Sequence, residues 1–95
     1  MLERDYQKKL VKKLKDIFPG CIVVKNDAQL KQGIPDLLIL YHDKWVALEV
    51  KNSPTASHRP NQDQYVERMN EMSYASFIYP ENEEKIFSEL KEVFG

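Results

Sequence analysis

The chain contains few cysteines, few glycines and no long apolar run. Of its 95 residues, one is cysteine and three are glycine. A single cysteine excludes an internal disulfide, and we find no signal peptide, membrane span, repeat or low-complexity segment. We therefore expect one domain over residues 1–95, located in the cytoplasm and built around a single modest hydrophobic core.

Several catalytic arrangements are missing as well. The sequence offers no histidine pair, cysteine cluster or Ser-His-Asp arrangement. The net charge is only −1, but residues 1–33 carry eight basic and four acidic groups, whereas residues 80–95 carry two basic and five acidic groups. This asymmetry predicts a polarised surface. Lys12 and Lys13 of the basic part are candidates to contact nucleic acid, unless they form a simple solvated face.

Hydrophobic periodicity and breaker residues predict the element order αβββαβα. The last strand follows a helix, so a right-handed crossover can set it parallel to a core strand. We therefore expect an α/β fold in which helices flank a mixed central sheet. The predicted helices span 2–18, 60–72 and 82–94, and the predicted strands span 21–26, 36–42, 45–51 and 75–79.

Charged residues interrupt two strands that are otherwise apolar. Asp36 opens one strand after Gly33-Ile34-Pro35, and Glu49-Val50-Lys51 ends the next. Charges in buried strands are costly unless they are paired or bound to metal. Mg²⁺ held by one or two carboxylates keeps positions for phosphate and water, and an ammonium group stabilises developing negative charge. The pattern predicts a metal site for phosphodiester hydrolysis; the alternative is a solvated hairpin whose Asp36 caps a turn.

The register of the hairpin decides whether Asp36 joins the other two charges. Strand alternation puts Glu49 and Lys51 on the same face. If Asp43 and Lys44 are the two loop residues, position 36 pairs with 51 and all three charges share that face. A three-residue loop would pair 36 with 50 and turn Asp36 to the opposite face, unless a bulge restores it. The metal site is therefore expected with the two-residue loop, or with a bulge in the longer one.

Two polar residues stand within apolar stripes of predicted helices. Glu3 falls inside the apolar arc of the first helix, so we expect it to point inward. Gln62 heads a stripe that continues through Tyr65, Met69 and Met72, which we interpret as ordinary core. The alternatives are a Glu3 that is solvated or favoured by the helix dipole, and a Gln62 that bonds backbone groups at the helix end.

The segment 52–59 is polar and contains proline, which predicts a loop after the second charged strand. Loops beside a site often carry substrate contacts. Ser57, His58 and Arg59 are therefore candidates to contact phosphates, although a histidine and an arginine in a loop are at least as readily incidental.

Pro35-Asp36 followed by Glu49-Val50-Lys51 resembles the signature of the PD-(D/E)XK nuclease superfamily. The likeness extends to Glu3 in the first helix and Gln62 at the start of another. This order is similar to the VRR-NUC branch, which includes small phage nucleases and is related to Holliday-junction resolvases. The resemblance covers nearly the whole chain.

The resemblance implies the restriction-endonuclease-like core and a Mg²⁺-dependent DNA endonuclease that leaves 5′-phosphate and 3′-hydroxyl ends, with Mn²⁺ able to substitute. Asp36, Glu49 and the backbone carbonyl of Val50 would hold the ion. Lys51 would position the attacking water and offset charge in the transition state. Gln62 would sit beside the metal, and Glu3 would complete the carboxylate set.

Small members of such families lack separate recognition domains. We therefore expect DNA structure (a Holliday junction, flap or nick) to be recognised rather than sequence, by a homodimer in a bacterium or phage-infected cell. One alternative is a non-catalytic nucleic-acid-binding module on the nuclease fold. Another is a restriction-type, sequence-specific nuclease, although no insertion is present that could read bases.

Overall fold

The structure, a computed structural model, describes residues 1–27, 29 and 31–95. The predicted loop between the first two strands contains positions 28 and 30, which lie outside these residues. A short 3₁₀ helix, Pro80–Asn82, precedes the last helix. The helices are α1 (Glu3–Ile17), α2 (Pro60–Met72) and α3 (Glu83–Phe94), and the strands are β1 (Ile22–Lys25), β2 (Leu37–Tyr41), β3 (Lys44–Val50) and β4 (Ala75–Ile78).

The four strands form one sheet in the order β1-β2-β3-β4. The β1–β2 and β2–β3 pairs are antiparallel, whereas β3 and β4, which are joined through α2, run parallel. The predicted αβββαβα order and the mixed sheet flanked by helices are therefore confirmed. Within the described residues, no helix has the length and hydropathy needed to cross a membrane.

The hairpin between β2 and β3 differs from the predicted one in its pairing. Tyr41 pairs with Lys44, so the loop residues are His42 and Asp43 rather than Asp43 and Lys44. His42 adopts a positive φ of 56°, as a two-residue hairpin loop requires of at least one residue. The register is thus two residues from the predicted one. A shift by an even number preserves the faces of the strands, so the expectation that Asp36 shares a face with Glu49 holds.

One face of the sheet forms the hydrophobic core with α1 and α3. Apolar residues recur in both helices at helical spacing and meet alternate residues of the strands. The rings of Phe18 and Phe94 close the end of this layer edge to face, with centroids 5.1 Å apart. The fully buried members of the core include Leu10, Leu14, Leu37, Ile39, Val46, Leu48, Val50, Ile78 and Leu90.

The opposite face of the sheet is covered only in part. Helix α2 packs on β3 and β4, where the paired residues Ala47 and Ala75 are buried. The stripe of α2 that we interpreted as core is not buried: none of the described residues of this helix is fully enclosed, and Met72 is 67% exposed. Helix α2 packs mainly on the two strands β3 and β4, so most of β1 and β2 is not beneath the helix. Periodicity therefore identified the side of α2 that faces the sheet, but not how deeply the side chains on that side are buried.

Gly33 allows the loop before β2 to approach the first turn of α2. A Cβ atom at this position would lie 2.7 Å from Cγ of Asn61, and the residue has a φ of 87°. Gly20, by contrast, has nearly the same φ of 88° but no atom within 4 Å of the Cβ position. A side chain at Gly20 would therefore cause backbone strain alone, whereas a side chain at Gly33 would cause backbone strain and a steric clash.

We expect Gly33→Ala to destabilise the protein more than Gly20→Ala. The left-handed backbone costs each alanine roughly 1 to 2 kcal/mol, and the clash with Asn61 adds about 1 to 3 kcal/mol at position 33 only. Urea unfolding measures both variants. Adding Asn61→Ala removes two of the three close contacts and should recover part of the extra loss at position 33. Equal losses for both glycines would contradict this account.

Candidate active site

The end of the central strand β3 carries two buried charges. Glu49 is 3% exposed and Lys51, directly after the strand, is 8% exposed. Strand alternation places both on the face that α2 covers. Neighbouring strands flank this end of β3, since Glu49 pairs with Phe77 of β4 and Leu48 pairs with Leu37 of β2. The two charged side chains therefore lie at the end of a strand that has a hydrogen-bonded neighbour on each side.

Asp36 lies one residue before β2, at the point where the backbone ladder with β3 ends. Its Oδ2 accepts a hydrogen bond of 2.9 Å from the backbone N–H of Val50. From the other side, Asn26 donates its side-chain Nδ2–H to the carbonyl of Pro35 and its backbone N–H to the carbonyl of Asp36. These bonds hold the Asp36 carboxylate beside the end of β3.

Gln62 connects the start of α2 to the charges of β3. Its Oε1 accepts hydrogen bonds from Nζ of Lys51 and from the backbone N–H of Arg59, both at 3.0 Å. Its Nε2 donates to Oε2 of Glu49 at 3.3 Å. Gln62 therefore contacts both Lys51 and Glu49, and it also bonds the backbone at the helix end, as the alternative interpretation has it.

The carboxylates of this site repel one another. The pKa of Glu49 is raised to about 8, first because the group is buried and then because the Asp36 carboxylate lies within hydrogen-bonding reach, while Lys51 acts in the opposite direction. The pKa of Glu3 is also raised, mainly by burial, with Lys51 lowering it and Asp36 raising it further. Three carboxylates and one ammonium group thus share one electrostatic environment.

The predicted catalytic residues meet in one open cavity of about 380 Å³. Glu3 reaches this cavity from the first turn of α1, although the residue as a whole is exposed. Two of the three loop candidates also reach it. The predicted residues that line the cavity are Glu3, Asp36, Glu49, Lys51, Ser57, Arg59 and Gln62.

The other nucleic-acid candidates lie elsewhere. The ring of His58 stacks on Phe77 with centroids 4.0 Å apart, and its Nδ1 lies 3.0 Å from Oδ1 of Asp63, so His58 fastens the loop to β4 and α2. Lys13 forms an ion pair of 2.8 Å with Glu83, and neither Lys12 nor Lys13 lines the cavity. Asn52 lines the cavity but was not predicted. Its position directly after Lys51 was the signal that could have identified it.

The donor set fits a hard divalent cation. Asp36 and Glu49 offer carboxylate oxygens, and the carbonyl of Val50 points to the same edge of β3 as its N–H, which bonds Asp36. The described residues contain no group of three His, Cys, Asp or Glu side chains arranged to hold an ion. Mg²⁺ needs only one or two carboxylates and keeps several waters, so this donor set suits it better than an ion that requires a complete protein cage.

We expect Glu49→Gln to stabilise the metal-free protein as the pH rises. A carboxyl group with a raised pKa favours folding in its protonated form, so its contribution is lost as the pH rises from its ordinary value of 4.5 through about 8. With chelator present, the variant should match the wild type near pH 4 and exceed it at pH 8 by roughly 1 to 3 kcal/mol. Urea unfolding across this range measures the difference, with Glu92→Gln on α3 as an exposed control. A difference that does not change with pH would contradict the expectation.

Comparison with protein-family models gave no match, and comparison with curated proteins gave none. Among solved structures, a "VRR_NUC domain protein" matches with a TM-score of 0.67 and 17% sequence identity, over 98% of this chain and 88% of that chain. The likeness is one of fold. The comparison therefore shows that this chain shares the fold of that VRR_NUC domain protein, the fold that the resemblance of its sequence predicted.

Proposed function

We propose that the protein is a Mg²⁺-dependent endonuclease that hydrolyses phosphodiester bonds of DNA. The observation that carries the proposal is the convergence of Asp36, Glu49 and Lys51 on one cavity at the end of β3. A buried glutamate next to a half-buried aspartate, beside an ammonium group, is costly for stability, which favours a chemical role over a structural one. The VRR-NUC fold supports the same assignment.

Asp36, Glu49 and the carbonyl of Val50 would hold the cation, and Mn²⁺ would be able to replace Mg²⁺ because it also accepts oxygen ligands. When bound, the ion polarises the scissile phosphate and lowers the pKa of its water. The hydrogen bond from Val50 to Asp36 fixes one carboxylate oxygen and leaves the other directed at the site. Binding of a cation also removes the repulsion between Asp36 and Glu49.

Lys51 would position the attacking water and stabilise the charge that develops on the phosphate. Its ammonium group carries three N–H donors, and Gln62 accepts one of them at 3.0 Å. That bond orients the remaining donors without neutralising the charge, since an amide is uncharged. Glu3 would complete the carboxylate set from the first turn of α1.

The substrate would be DNA recognised by its structure, such as a junction, flap or nick. Ser57 and Arg59 stand at the cavity, where a hydroxyl and a guanidinium group suit phosphate oxygens. Lys12 is exposed and available for more distant backbone contacts, whereas Lys13 is engaged by Glu83. Among residues 1–27, 29 and 31–95, the sheet carries no inserted element that would enter a groove and read base edges.

We further propose that two copies of the chain associate through the open sheet face, defined as Ile22, Val24, Leu38 and Leu40. Ile22 pairs with Leu40 and Val24 with Leu38, so the four side chains form one continuous apolar patch that α2 leaves uncovered. A continuous patch, unlike scattered apolar residues, favours an interface. A second copy matches it because a two-fold interface places the same surface on both partners.

Asp36→Asn and Glu49→Gln should abolish Mg²⁺-dependent cleavage of flapped and four-way-junction DNA, because each removes a charged ligand while keeping the shape of the side chain.

Lys51→Ala should lower turnover by about 10²- to 10³-fold and leave Mg²⁺ binding largely intact, because its charge acts on the transition state. Gel assays measure cleavage, and calorimetry measures Mg²⁺ binding.

The opposite end of β3 supplies matched controls. Asp43→Asn and Lys44→Ala make the same chemical changes at exposed positions of the hairpin and should leave cleavage unchanged. Full activity of Asp36→Asn would overturn the proposed site. Binding of DNA by the wild type with no cleavage in Mg²⁺ or Mn²⁺ would instead identify a non-catalytic binding module.

Sedimentation equilibrium should give twice the chain mass of 11.2 kDa for the wild type and the monomer mass for Ile22→Glu. A carboxylate within the open sheet face would have to be desolvated on association, which is strongly unfavourable. Leu2→Glu is the control, because Leu2 is 58% exposed, close to the 60% of Ile22, but lies at the start of α1. Equal masses for the two variants would place the interface elsewhere.

A further inference from the structure

A second cavity, of about 230 Å³, lies beside the first turns of α2. Four of its five lining residues come from this helix at positions 61, 64, 65 and 68, a spacing that places them on one side. The fifth comes from the loop before Gly33. We call this cavity the amide pocket; its lining residues are Gln32, Asn61, Gln64, Tyr65 and Arg68.

The wall of the amide pocket is held against α2 by two contacts. Gly33, next to Gln32, approaches Asn61 so closely that no side chain fits between them. Nζ of Lys31 lies 5.6 Å from the centre of the Tyr65 ring, within the range of a cation–π contact. The loop and the helix are thus fastened on both sides of Gln32.

The polar groups of the amide pocket are not used by the fold. Within the part of the chain that the structure describes, none of its five side chains forms a hydrogen bond with another residue. Several side-chain amides elsewhere in the fold are engaged: Asn26 and Asn70 bond backbone groups, and Gln62 bonds two side chains and one backbone N–H. The amides of the pocket are therefore available to a ligand.

The composition of the amide pocket suits a nucleobase better than a phosphate. Each of its three amides presents a donor and an acceptor, which matches the mixed edge of a base. Tyr65 and the planar guanidinium group of Arg68 offer surfaces on which a base stacks. A phosphate accepts hydrogen bonds only, so it would meet one cation and could use the NH₂ donors of the three amides but not their oxygens. The volume is also below the roughly 300 to 1,000 Å³ typical of pockets for drug-sized ligands.

The amide pocket lies next to the candidate active site. Asn61 lines the pocket and Gln62 lines the catalytic cavity, and consecutive helical residues are separated by about 1.5 Å along the axis and 100° around it. A DNA strand that has one phosphate at Lys51 therefore brings a neighbouring nucleotide to the amide pocket. A base within a duplex is stacked and paired, so only an unpaired base can enter.

We propose that the amide pocket binds an unpaired nucleobase close to the cleaved phosphate. The proposal rests on the proposed nuclease function and adds to it the feature that distinguishes the substrate. DNA with an unpaired nucleotide beside the cut binds more tightly than a continuous duplex, because the pocket receives its base. The pocket contributes to binding rather than to the chemical step.

The test combines changes in the protein with changes in the DNA. Binding of fluorescent flapped DNA is measured by anisotropy in chelator, with an abasic residue placed in turn at each position around the junction. We expect one abasic position to weaken wild-type binding by about tenfold, the effect of losing one stacked base. Tyr65→Ala and Gln64→Ala should weaken binding of the intact flap similarly and be insensitive to that abasic residue, because residues that act on one ligand group are not additive.

Controls separate the pocket from the general charge of the protein. Tyr65→Phe keeps the ring and should retain most binding, and Glu67→Ala changes an exposed residue of α2 that lines neither cavity. Gln64 is exposed, so its variant should fold normally, which thermal unfolding checks. Variants that weaken binding equally with every abasic substrate and with duplex DNA would overturn the proposal, as would variants with no effect.

The two proposals fail in distinguishable ways. Cleavage of flapped DNA, together with binding that does not depend on the base at any position, would overturn the amide pocket and leave the nuclease function intact. Dependence of binding on one base, without cleavage in Mg²⁺ or Mn²⁺, would overturn the nuclease function and leave the pocket as a nucleic-acid-binding site.

Discussion

The site depends on how the ladder between β2 and β3 ends. Strand β2 begins at Leu37, so the N–H of Val50 meets the side chain of Asp36 in place of a backbone carbonyl, at 2.9 Å. Pro35, which is fully buried and has no N–H, cannot extend the ladder. The Asp36 carboxylate thus accepts the hydrogen bond that a backbone carbonyl would accept if the ladder continued. The regular spacing of the sheet then determines where Asp36 stands relative to Glu49.

The electrostatics of the site make it costly in isolation. Glu49 is buried against Asp36, and Lys51 offsets only part of that repulsion, so the pKa of Glu49 rises to about 8. Gln62 contacts both charged side chains of β3 without adding charge. In the proposed nuclease, a divalent cation replaces the proton that the carboxylate pair otherwise retains. The same groups that lower the stability of the metal-free protein give the cation its binding energy.

The sequence was informative where one local rule decides the structure. Strand alternation placed Glu49 and Lys51 together, and the range of α2 was predicted as 60–72. The hairpin register was wrong by two residues because loop propensity did not distinguish His42-Asp43 from Asp43-Lys44. The burial of Met72 was wrong because periodicity does not report how much sheet lies beneath a helix. The amide pocket could not be predicted at all, since only tertiary packing brings Gln32 and Arg68 to the same cavity.

The two sides of the candidate site differ in how firmly the fold holds them. The carboxylate and ammonium groups stand at the end of β3, which is paired on both sides and fully buried over its last five residues. Gln62 and Arg59 belong to α2 and its start, a helix with no fully buried side chain among its described residues. Segments with few buried apolar contacts open locally at lower free energy. Amide hydrogens of α2 should thus exchange faster than those of β3, and the start of α2 is the side of the cavity that can separate while the charged groups stay in place.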